Sequence, residues 1–70
     1  MKGDRTMIER LKLHLQDLLD TVITSEEQNF SWVKDDKYAF DTAMLTANIA
    51  MCETGKRFAR HGKEIIVIEL

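Results

Sequence analysis

Few residues in this chain of 70 could carry out chemistry. There is one cysteine, Cys52, and two histidines, His14 and His61. A metal centre needs several such ligands at tight spacing. On two antiparallel helices, His14 and Cys52 would stand about five residues apart along the axis, roughly 7.5 Å at 1.5 Å per residue. That is too far to share one ion, and it also removes a Cys–His nucleophile pair. Cys52, flanked by Met51 and Ile49, reads as a small buried hydrophobe. Thr54-Gly55-Lys56 has the form of the end of a phosphate-binding loop. That motif also requires a glycine five residues before Gly55 and a hydroxyl after the lysine, where this chain has Ala50 and Arg57. The carboxylate pairs Glu26-Glu27 and Asp35-Asp36 fall in a polar connecting segment, whereas a general acid needs burial to raise its pKa. A catalytic pocket of about 300 Å³ or more is hard to build in so small a domain. The expectation is a non-enzyme with no catalytic residue, no metal and no cofactor.

Two groups of residues remain that could bind rather than react. Arg57 and Arg60, three apart, would share one helix face, with Phe58 available to stack on a base. With Arg5, Arg10, Lys56 and Lys63 they form a candidate anion site. No RNP box or zinc finger accompanies it. The second group is the tail Ile65-Ile66-Val67-Ile68, four consecutive β-branched residues that favour a strand. A strand needs a partner for its backbone, so these four are candidate partner-binding residues.

Helices must position both groups. Ile8, Leu11, Leu15, Leu18, Leu19 and Val22 recur three and four apart, which is one stripe of an amphipathic helix over 6–23. Thr6 with Glu9 three residues later forms a capping box at its start. Met7, Leu13 and Ile23 widen the stripe. Residues 25–36 read equally as a helical turn capped by Ser25 and Gln28 or as a short strand through Phe30 and Trp32. The two aromatics are expected to fold back onto the helices. A second helix is predicted over 37–61, with Asp35 or Asp36 as its N-cap. Its core stripe is Phe40, Met44, Ala47, Met51 and Phe58, and Ala39, Ala43, Ala47 and Ala50 give it a small-residue face that a neighbouring helix can approach closely. Gly55 interrupts it at a cost of about 1 kcal/mol, and Gly62 fits its C-terminal cap. The predicted fold is mainly α: one domain over 1–70, an antiparallel two-helix hairpin with a short C-terminal strand completed by oligomerisation.

Folding such a hairpin sorts the charge. Lys2, Arg5, Arg10, Lys12, Lys56, Arg57, Arg60 and Lys63 gather at one end against five acids, leaving it at +3, while seven acids against Lys34 and Lys37 leave the turn end at −5. The net charge of −2 hides this polarity, which can steer a charged partner. The small net charge also argues against a globally basic nucleic-acid binder. One cysteine excludes an internal disulfide framework. No run approaches 18 apolar residues, so no membrane span is expected, and the polar start lacks the apolar core of a signal peptide. Asn29-Phe30-Ser31 has the form of a glycosylation sequon and is read as coincidental. A cytoplasmic location is expected. An 8.1 kDa chain buries only about 60% of its unfolded surface, which also points to assembly. The expected function is that of a small accessory protein: a non-catalytic interaction module that regulates, inhibits or adapts a partner protein and works as a homodimer paired through its tails. The alternative is an anion-binding module that contacts nucleic acid or a nucleotide through the basic end.

Overall fold

The computed structural model describes residues 2–70, with side chains from Met7 onward. Two helices, α1 (Lys2–Gln28) and α2 (Val33–Ala50), precede a hairpin of two strands, β1 (Lys56–His61) and β2 (Glu64–Glu69). The helices pack against each other, α1 touches β2, and α2 touches β1.

The α1 stripe behaves as its spacing requires. Leu15, Leu19 and Val22 are fully buried, and Ile8, Leu11, Leu18 and Ile23 pack against them. Leu13, by contrast, is 68% exposed. The helix is longer than expected at both ends. Its backbone is already helical at Lys2, ahead of Thr6; the predicted Thr6 cap lies outside the described side chains. At the other end Ser25 does not cap a new turn but belongs to α1. The helix stops at Asn29, which takes a positive φ of 60°. The Phe30 amide donates to the Ser25 carbonyl at 3.0 Å and the Asn29 amide to the Glu26 carbonyl at 3.2 Å. This paired closure through a left-handed residue is the Schellman motif, with Asn in the place usually held by glycine.

Four residues, 29–32, then reverse the chain. Phe30 and Trp32 stack on each other, with ring centroids 4.3 Å apart, and both remain substantially exposed. α2 starts at Val33, earlier than expected, so Asp35 and Asp36 lie in its first turn rather than capping it. Their charge still suits the positive end of the dipole. Two contacts lock the turn. The buried Ser25 hydroxyl donates to Asp36 Oδ2, and Lys37 Nζ lies 3.0 Å from Glu26 Oε2.

α2 ends at Ala50, eleven residues short of the predicted end at His61. Thr54 and Gly55 account for the break. The Thr54 hydroxyl donates to the Met51 carbonyl at 2.7 Å and accepts from the Lys56 amide at 3.0 Å, so it offers the backbone an alternative to helix. Gly55 takes a φ of 75°, which side-chain-bearing residues rarely adopt. Residues 56–61 therefore return as a strand. Gly62, with a φ of 62°, does not cap a helix but sits first in the two-residue loop Gly62-Lys63. His61 pairs with Glu64 across that loop, and a glycine in this place suits a type II′ turn.

The tail is thus a strand as expected, but its partner is β1 of the same chain, in the antiparallel register Phe58↔Val67 and Arg60↔Ile65. It does not need a second chain to satisfy that side of its backbone. Alternate tail residues face opposite ways. Ile65 is buried and Val67 packs on the core, whereas Ile66 and Ile68 lie on the outer face. The completed core is Leu15, Leu19, Val22, Phe40, Ala47, Met51, Phe58 and Ile65. Cys52 is exposed in the turn after α2 and is not a core residue.

Candidate functional site

A two-stranded sheet has two free edges, and two helix carboxamides cover part of each. Ladder bonds alternate along an antiparallel pair, which turns the Phe58 and Ile65 backbone groups outward. Asn48 on α2 meets Phe58 with both ends of its amide: the Phe58 N–H donates to Oδ1 at 2.7 Å, and Nδ2 donates to the Phe58 carbonyl at 3.2 Å. Gln16 on α1 does the same for β2. The Ile65 N–H donates to Oε1 at 2.9 Å, and Nε2 donates to the Lys63 carbonyl at 2.9 Å. These side chains occupy positions that an added strand would need, which blunts both edges. Neither residue stood out in the sequence, where an isolated Asn or Gln on a helix reads as surface. Asn48→Ala is expected to cost about 2 kcal/mol, because it strands a part-buried N–H and C=O together. Denaturant titration would measure that loss.

The candidate tail residues therefore divide. Ile65 and Val67 serve the core, and only Ile66 and Ile68 face outward. The candidate anion residues are dispersed as well. Arg57 and Arg60 lie on a strand, not a helix, so three residues of separation puts them on opposite faces. Arg57 Nη1 donates to the Met51 and Lys56 carbonyls at 3.2 and 2.6 Å, and Arg60 Nε donates to the Gly62 carbonyl at 2.8 Å. The hairpin carries Lys63 back to the acidic end, where its Nζ lies 3.2 Å from Glu27 Oε2. Lys56 stands near Met7 and Ile8 at the start of α1. Arg10 is exposed on α1, and the Arg5 side chain lies outside the described residues. Among the described residues no three His, Cys, Asp or Glu side chains are grouped to hold a metal ion. No described helix is long and apolar enough to cross a membrane.

A larger feature lies between the helices. An open groove of about 540 Å³ is floored by Ala39, Ala43 and Ala47 of α2 and walled by Leu11, His14 and Leu18 of α1. No hairpin residue lines it. Beside it the outer flank of α2 exposes Tyr38 at 74%, Leu45 at 65% and Ile49 at 64%. Groove and flank form one continuous apolar face, since positions 38, 42, 45 and 49 recur at helical spacing next to 39, 43, 46 and 50. The small-residue face was visible in the sequence as a place for close approach. The structure leaves it open, while Tyr38, Leu45 and Ile49 were hidden there by the stronger stripe through Phe40 and Met51.

No protein-family model matches the chain, and no match was found among curated proteins or solved structures.

Proposed function

We propose that this chain is a small non-catalytic interaction module of the cytoplasm, which acts as an oligomer and regulates, inhibits or adapts a partner protein. The observation that carries this reading is the open apolar face of the helix pair. Contiguous exposed apolar surface of this kind marks interaction sites, and amphipathic helices dock into such grooves by their apolar anchors. Binding of an anion at the basic residues draws less support. Arg57, Arg60 and Lys63 are spread over separate faces and already engage the chain's own acceptors.

A photo-crosslinking amino acid placed at position 45, and separately at 57, tests the choice in extract of the source cells. Protein adducts are expected from position 45. Leu45→Glu in a chain without the crosslinker should lower binding to the same target about 100-fold, as a charge must then be desolvated, with helicity unchanged. Adducts to nucleic acid from position 57 alone, lost steeply with added salt, would favour the anion reading instead.

A further inference from the structure

We infer that the occupant of the apolar face is a second copy of this chain, docked with α2 antiparallel to α2 of its twin about a two-fold axis at the level of Met44. The inference rests on the interaction-module reading and specifies its partner and geometry.

A two-fold interface uses the same patch on both copies, so the patch must complement itself. This one does so in size. With the axis level with Met44, position i of one α2 meets position 88 − i of the other. In the central layers Ile49 then meets Ala39, large against small, and Thr42 meets Thr46, which lets the two surfaces interdigitate. Leu45 lies on one flank beside the Leu45 of its twin, and Ala43 on the other. A parallel pairing would set Ile49 on Ile49 and Ala39 on Ala39, stacking bulk on bulk and leaving gaps beside it.

Charge selects the same direction. Asp17, Asp20, Glu26, Glu27, Asp35, Asp36 and Asp41 crowd the turn end of the helix pair and outnumber Lys34, Lys37 and Lys63 there, while towards the other end Arg10, Lys12, Lys56 and Arg57 outnumber Glu9, Glu53 and Glu69. Antiparallel docking lays the acidic end of each copy over the cationic end of its twin and opposes the two helix dipoles. Parallel docking would put the acidic ends together.

The alternative site for a second copy is the outer edge and face of β2. Gln16 already occupies the Ile65 N–H and the Lys63 carbonyl on that edge, which leaves only the stretch around Val67 and Glu69 for pairing.

Light scattering on the intact chain at tens of micromolar should give twice 8.1 kDa. Thr46→Lys, an exposed position, should raise the dimer dissociation constant about 100-fold and yield a monomer with unchanged circular dichroism. In a Cys52→Ser background, chains bearing Thr42→Cys mixed with chains bearing Thr46→Cys should form the mixed disulfide in preference to either symmetric one. Preferential 42–42 and 46–46 disulfides would overturn the antiparallel geometry. A dimer that survives Thr46→Lys and is lost with Ile68→Lys would overturn the helix face in favour of the sheet. A stable 8.1 kDa monomer would overturn the second copy as occupant. Crosslinks from position 45 to a different protein would then still support the interaction module, and their absence would overturn that reading as well.

Discussion

Leu15→Asp is expected to abolish the cooperative fold, and Leu13→Asp, two residues away, to leave it standing. Leu15 is fully buried at the centre of the core, while Leu13 is 68% exposed. The truncation alone, like any Leu→Ala change in a core, removes about 2–5 kcal/mol. The carboxylate adds the cost of an unpaired charge among apolar neighbours, several kcal/mol more unless the group is protonated. Against this, a domain of this length holds about 4–10 kcal/mol in total, at 0.05–0.15 kcal/mol per residue. One substitution therefore consumes the whole margin. On the exposed flank the same substitution should change stability by less than about 0.5 kcal/mol. Far-UV circular dichroism with urea titration separates the two outcomes. A folded Leu15→Asp with an unchanged midpoint would mean that the α1 stripe does not face the core.

Leu15 was legible because α1 reports its environment locally. An apolar residue every three or four positions needs no knowledge of the rest of the chain. The same local logic misled beyond Ala50. Lys56, Arg57, Ala59 and Arg60 are acceptable helix formers, and only Phe58 among residues 56–61 is a large hydrophobe. Nothing within the segment announces a strand. What makes it one is its non-local pairing with residues 64–69, and strand preference depends strongly on such context. Gly62 compounded the difficulty, since a glycine after cationic residues suits a helix cap as well as a hairpin loop. Once 56–61 became a strand, the candidate anion site came apart, because Arg57 and Arg60 share a face only at helical spacing. The open face of α2 was half legible. Its alanines were visible, but whether anything covers them depends on where the hairpin packs, and that is again a non-local property.

Ile65→Ala is expected to destabilise the protein far more than Ile68→Ala, although the two residues stand three apart in the same strand. Residues on a strand alternate between faces, so one of the pairs Ile65/Val67 and Ile66/Ile68 must face the helices and the other solvent. Ile65 is 1% exposed and Ile68 39%. Replacing Ile65 removes a buried side chain beneath the hairpin and leaves a cavity against α1, at a cost of about 2–5 kcal/mol. At about 4–8 °C per kcal/mol for a domain of this size, the melting temperature should fall by roughly 10 °C or more. Ile68→Ala removes surface that water already reaches, and the change should stay below about 1 kcal/mol. Thermal melts of both variants should use protein dilute enough to remain monomeric, so that self-association does not enter. The reverse ranking would require the strand to slip by one residue, since such a slip moves every side chain to the other face. It would also break the contacts from the Gln16 carboxamide to Ile65 and Lys63, because a slipped strand offers that amide a different backbone. The ranking of two isoleucines thus reports the register of the hairpin and, through Gln16, how that hairpin is held to α1.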